Sequence, residues 1–134
     1  MNFYKKLKDH KNCHMVMGIV NLTPDSFYDG GKYNNPKDAV KYISKIIKQG
    51  ADIIDIGAMS SRPGSLPISL KEEEKRLLSV LEIIRNKFPE IIISIDTYRH
   101  EIAEQSIKYG ANIINDIYVD QNKEKMWNII QKYN

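Results

Sequence analysis

Four apolar runs too short to be helices alternate with stretches of helical periodicity, and no long polar linker interrupts the series. The runs are MVMGIV (15–20), DIIDIG (52–57), IIISI (91–95) and ANIIND (111–116). Each reads as a short strand covered on both faces. After the first, NPKDAVKYISKIIKQG places Asn35 as an N-cap, Pro36 at the first helical position and Gly50 at the stop. Val40, Ile43 and Ile47 recur there at helical spacing. A second helix opens on the capping-box pattern SLKE, Ser69 to Glu72, and aligns Leu77, Leu81 and Ile84. DTYRHEIAEQSIKYG predicts a third helix stopped by Gly110, and KEKMWNIIQKY a fourth. Strand-then-helix units with short loops demand a parallel sheet and right-handed crossovers. An open doubly wound sheet and part of a barrel both satisfy that demand.

Composition narrows the class without choosing between them. At 134 residues the chain has the size of one domain, and 42% hydrophobic with 28% charged residues is ordinary for a globular protein. The net charge of +3 comes from lysines with acids interleaved, as in KYISKIIKQ and KEEEKR, a solvated-surface pattern and not a nucleic-acid footprint. Cys13 is the single cysteine, so neither a disulfide framework nor a cysteine metal site is expected. Residues 1–14 form a polar lead-in without a hydrophobic signal core. No apolar run reaches the roughly 18 residues of a membrane span, and the expectation is a cytoplasmic protein with no membrane partner.

The chemistry collects where the strands end. Each run empties at its C-terminal end into polar residues: Asn21, the segment after Gly57, Asp96, and Asn115 with Asp116. In either parallel architecture that edge carries the active site. Asp96 and Asn115, delivered by isoleucine-rich strands, offer a carboxylate and an amide suited to a flat heterocycle with donors and acceptors. Taken singly, Asp96 equally suits an N-cap for the next helix, and Asn115 a strand-end turn. Arg62, beside Pro63 and Gly64, is a loop cation able to hold phosphate or carboxylate, and Asn21 is a neutral oxygen able to share magnesium with a diphosphate. His10, His14 and His100 lack a metal-ligand spacing, with His100 expected early in a helix and facing solvent. Met15, Met17 and Met59 are expected to pack.

Taken together, GIVNLTPDSFYDGGKY, GADIIDIGAMSSRPGS and ISIDTYRHEIAEQSIKYGANIINDI resemble dihydropteroate synthase, and the resemblance runs over nearly the whole chain from Met15. The TPDSF block separates it from methyltetrahydrofolate-dependent methyltransferase domains, which look similar only at the Asp96 and Asn115 strand ends. The resemblance implies a TIM-type (β/α)8 barrel of the α/β class, of which this chain supplies about the first four units, and a transferase of folate biosynthesis. That enzyme joins p-aminobenzoate to 6-hydroxymethyl-7,8-dihydropterin diphosphate, with Mg2+, and releases diphosphate. Asp96 and Asn115 match the pterin anchors and Asn21 the magnesium ligand. Ser61 stands where the family usually has Thr in a loop that contributes to binding the pterin diphosphate. Asp25, Phe27, Arg62 and Pro63 match the mobile loops over the p-aminobenzoate pocket, with Asp25 and Arg62 in catalytic roles. Sulfonamides are the expected competitors, and the full-length form is expected to be a homodimer.

The sequence also departs from the family pattern. Ala58 and Met59 replace the Gly and the acidic or amide residue expected there, and a positive φ at position 58 would strain the alanine. A second-half Asp, Lys and Arg-x-His have no counterpart in a chain well short of the about 250 residues of such a barrel. The expectation is the N-terminal half of a pterin-binding barrel domain over 1–134, with its own activity in question. A noncatalytic half-barrel that binds pterin is the alternative, and the methyl-transferring pterin domain a second. Half a barrel is further expected to expose the inward side chains of its strands and both sheet edges.

Overall fold

A computed structural model of the chain describes residues 14–23, 36–59, 67–118 and 123–133. Within them the order is β1 (Met17–Asn21), α1 (Pro36–Lys48), β2 (Ile53–Gly57), α2 (Leu70–Lys87), β3 (Ile92–Asp96), α3 (His100–Lys108), β4 (Ile113–Asn115) and α4 (Lys123–Tyr133). The predicted strands and helices form in the predicted order. Strand ends shift by one or two residues, as they must where an apolar run continues into a turn.

Local chemistry sets the helix limits. Pro36 opens α1, with its fixed φ already helical and no amide hydrogen left unpaired. Asn35, expected to cap it, lies outside the described residues. Gly50, at φ +105°, turns the chain out of α1, and Gly110, at φ +94°, does the same after α3. Ser69 caps α2: its Oγ accepts from the Glu72 amide at 3.2 Å.

The sheet decides between the two architectures left open by the sequence. All its pairings are parallel, and the strand order is β1-β2-β3-β4. A doubly wound sheet reverses its order at a switch point, whereas sequential order with right-handed crossovers keeps every helix on one side, as a barrel requires. The chain is therefore an arc of a (β/α) barrel. Gly18 identifies the helix side, because a Cβ there would lie 2.8 Å from Ile46 Cδ1 of α1. By strand alternation Val20, Ile54, Ile56, Ile93, Ile95 and Ile114 share that side. They form a continuous core with Ile43, Leu77, Leu81, Ile84 and Ile102 from the helices.

The opposite face carries three transverse rows: Met17, Ile53 and Ile92; then Ile19, Asp55, Ser94 and Ile113; then Asn21, Gly57, Asp96 and Asn115. The expected exposure of this whole face is not what the structure has. In β2 and β3 every residue but Asp96 is buried, and apolar exposure is confined to the edge, with Met17 43% and Ile19 63% exposed. A central strand has a neighbour on each side to close over it, and an edge strand has only one. Met17 is accordingly not the packed residue expected from its sequence context.

Candidate functional site

The uppermost row is the candidate site. Asn21, Gly57, Asp96 and Asn115 are register partners across the sheet, so one line of hydrogen-bonded strands sets the spacing of three polar side chains. Gly57 supplies the gap between two of them. A Cβ at Gly57 would lie 3.3 Å from Asp96 Oδ2 and 3.5 Å from Asn21 Oδ1, so both oxygens lean over the space its missing side chain leaves. Backbone bonds fix the rim: Leu22 donates to the Gly57 carbonyl at 2.7 Å, and Thr97 to the Asn115 carbonyl at 3.1 Å.

Asp96 does not cap α3. Arg99 is the N-cap residue there and makes no side-chain cap bond. Among the described residues the Asp96 carboxyl makes no hydrogen bond. Its pKa is raised, first by burial and then by the negative charges of Asp55, Asp116 and Glu73. A group held at such electrostatic cost in a strand-top row has the signature of a functional site.

Behind Asp96, the chain is braced by a carboxylate that sequence reasoning did not single out. Glu73 of α2 is fully buried, accepts from Thr97 Oγ1 at 2.7 Å and pairs with Arg99 Nη1 at 2.8 Å. Arg99 Nη2 also donates to the Ile68 carbonyl at 2.7 Å, just before α2, and the Arg99 amide to Thr97 Oγ1 at 3.2 Å. The network ties the turn after Asp96 to the segment entering α2. Its signal in the sequence was an acid on the apolar side of a helix, at the i−4 position from Leu77. Next to it the Tyr98 ring meets Tyr118 edge to face at 5.3 Å, with the Arg99 guanidinium 5.6 Å from the Tyr98 centroid.

Asp55 was also missed. It sits one row below the site on the same face, is 5% exposed, and accepts from Asn115 Nδ2 at 3.4 Å. An acid within the buried strand DIIDIG was the available signal.

Of the residues singled out from sequence, the structure brings together Asn21, Asp96 and Asn115. Asp25, Phe27, Ser61, Arg62 and Pro63 lie outside the described residues, as do His10 and Cys13. Ala58 is fully buried within the core cluster, where its methyl group packs. His100 opens α3 as expected, but is half-buried beside Glu101 and not turned freely to solvent. Among the described residues no three His, Cys, Asp or Glu side chains cluster as a metal site, and no helix is long and apolar enough to cross a membrane.

Comparison with known proteins bears on the family. The family model described as pterin binding enzyme matches residues 17–134. The chain is 47% identical over 119 residues to the dihydropteroate synthase of Clostridium beijerinckii, covering 89% of this chain and 44% of that protein. It superposes on the crystal structure of Clostridium difficile dihydropteroate synthase in the presence of pteroic acid with a TM-score of 0.80 and 40% identity, covering 89% of this chain and 45% of that one. On the Yersinia pestis enzyme in complex with a sulfonamide drug the values are 0.76 and 38%, over 86% and 42% of the two chains. This chain thus spans less than half the length of the relatives it matches. With sequential parallel strands, a polar row at their C-terminal ends and a match over nearly its whole length, the chain belongs to the pterin-binding enzyme family.

Proposed function

We propose that this chain is the pterin-anchoring part of a dihydropteroate synthase, which condenses 6-hydroxymethyl-7,8-dihydropterin diphosphate with p-aminobenzoate to give 7,8-dihydropteroate and diphosphate. The observation that carries the reading is the register pair Asp96 and Asn115 at the top of β3 and β4. In this role Asp96 accepts from ring and amino N–H groups of the pterin, and Asn115 binds the adjacent edge. The raised pKa of Asp96 sharpens its part, since the cost of holding that charge is relieved when N–H donors arrive.

Asn21 Oδ1 would hold a magnesium ion as a neutral oxygen ligand, alongside diphosphate and water. The ion would neutralise charge on the departing diphosphate. Asp25 and Arg62 take the catalytic roles: Asp25 stabilises positive charge developing at the pterin methylene, and Arg62 holds anionic substrate oxygens. Ser61 assists at the diphosphate, while Phe27 and Pro63 cover the p-aminobenzoate subsite and exclude water. Sulfonamides, which copy the outline of p-aminobenzoate, compete there.

Two measurements on the chain test the proposal. Calorimetry with pteroic acid is expected to give saturable binding that Asp96→Ala weakens by about ten- to a hundredfold, the loss of a charge-assisted hydrogen-bond set. Unchanged affinity in Asp96→Ala removes Asp96 from the site. Turnover of the pterin diphosphate with p-aminobenzoate separates a synthase from a noncatalytic pterin-binding half.

A further inference from the structure

We propose that Asp55 is a positioning residue: it commits the Asn115 NH2 group to the protein, so that Asn115 presents its carbonyl oxygen to the ligand. The proposal rests on the reading of Asp96 and Asn115 as pterin anchors and deepens it by fixing which end of the amide reads the heterocycle.

Asp55 and Asn115 stand on strands separated by β3, one row apart on the same face. The residue between them in the lower row is Ser94, whose small side chain lets the two meet across the sheet. The contact runs from Asn115 Nδ2 to Asp55 Oδ2 at 3.4 Å. A carboxylate accepts and does not donate, so only the nitrogen end of the amide can face it. The amide orientation is thereby settled by chemistry: one Nδ2 hydrogen is spent on Asp55, and Oδ1 is the Asn115 acceptor left for a ligand.

The cost of Asp55 argues that it serves more than the core. It is 5% exposed, and its Oδ1 is buried without a hydrogen-bond partner, as is Ser94 Oγ in the same row. Burying an unpaired carboxylate oxygen disfavours folding, and the other buried positions of β2 before Gly57 are isoleucines. An isoleucine at position 55 would fill the space without that cost and would leave the Asn115 amide free to turn. With Asp55 present, Asn115 Oδ1 stands with the Asp96 carboxylate as a pair of acceptors at neighbouring strand tops. Such a pair selects a ring edge with consecutive N–H donors, as an aminopyrimidinone has, and rejects analogues whose ring nitrogens only accept.

The test separates hydrogen bond from charge. An asparagine at position 55 still accepts from Asn115 Nδ2, whereas an alanine does not. In the chain without ligand, Asp55→Asn should keep the Asn115 side-chain NH2 signals resolved and protected from hydrogen exchange by NMR, and Asp55→Ala should lose that protection. In calorimetry with pteroic acid, Asp55→Ala and Asn115→Ala should each weaken binding by about tenfold, and the double variant by no more than Asn115→Ala alone. Asp55→Asn should stay within about threefold of the parent, since the pinning bond survives. Additive losses, or equal losses in Asp55→Asn and Asp55→Ala, would overturn the proposal, as would unchanged Asn115 protection in Asp55→Ala. A parent chain that gives no pteroic acid heat, yet shows the Asp55-dependent protection, fails the pterin reading and keeps the pinning.

Discussion

At Asp96 the demands of binding and of folding oppose each other. Its folded-state pKa lies above the usual carboxylate range, so the folded state holds the proton more tightly than the unfolded chain. The stability linked to that proton is full below the unfolded pKa and is lost as pH rises through the folded one. Asp96→Asn is therefore expected to raise the melting temperature of the metal-free chain at neutral pH, with the gain shrinking as pH falls below the ordinary aspartate range, while pterin affinity drops. Thermal unfolding at several pH values checks this, and a variant less stable than the parent at neutral pH would contradict it. Glu73 makes the contrary case, a fully buried carboxylate whose partners are in place. Glu73→Ala leaves Thr97 and Arg99 without their acceptor and is expected to cost about 3 to 5 kcal/mol of stability by denaturant titration, as breaking a buried pair does. A loss under 1 kcal/mol would mean that the network relaxes into water.

At the level of elements, what could be read in the sequence was whatever depends on neighbours along the chain. Pro36, Ser69, Gly50 and Gly110 mark helix ends through their own local chemistry, and all four mark them in the structure. Strand tops were equally legible, because each apolar run gives way to polar residues at its C-terminal end, where the last paired residues reach the rim of the sheet. Asp55 and Glu73 were not, since their meaning depends on Asn115 and Arg99, which lie 60 and 26 residues away. The alternation of β2 already placed Asp55 on the face of Gly57, but a lone acid in a strand does not announce its partner. Gly110 offers a test of the local kind. At φ +94° and with a Cβ 3.0 Å from Arg85 Nε, Gly110→Ala should destabilise by about 1 kcal/mol or more, read from the denaturation midpoint. Between helices, Glu104 of α3 is pulled down to about 2 by its hydrogen bonds to Lys132 and Tyr133 of α4. The pairing supports α4 above the ordinary glutamate range and is lost as pH falls from there through about 2. Hydrogen exchange in α4 should accelerate over that window, and less so in Glu104→Gln, where the charge is gone from the start.

For the whole molecule, the consequence of an arc is its two edges. Among the described residues β1 and β4 each pair on one side only, and Met17 and Ile19 leave apolar surface on the first. Unpaired parallel edges attract further strands. The 134-residue chain is expected to associate into dimers or larger species in light scattering, and Ile19→Lys to shift it toward monomer. A compact monomer of the parent that unfolds cooperatively would show that the buried central strands suffice for independent stability.

The opposite end of the sheet is organised around Arg85. Its guanidinium donates to the carbonyls of Pro89 and Ile91, which lead into β3, and to Gly110 O and Asn112 Oδ1, which lead into β4. Asn112 Oδ1 in turn accepts from the Ile93 amide at 3.0 Å. The clasp lies a full strand length from Asp96, so β3 is fastened at both ends, by Arg85 where it begins and by the Glu73–Arg99 network just past Asp96. An engineer seeking a sturdier relative can work on the clasp end, through the turns that Arg85 gathers, without disturbing the polar row at the strand tops.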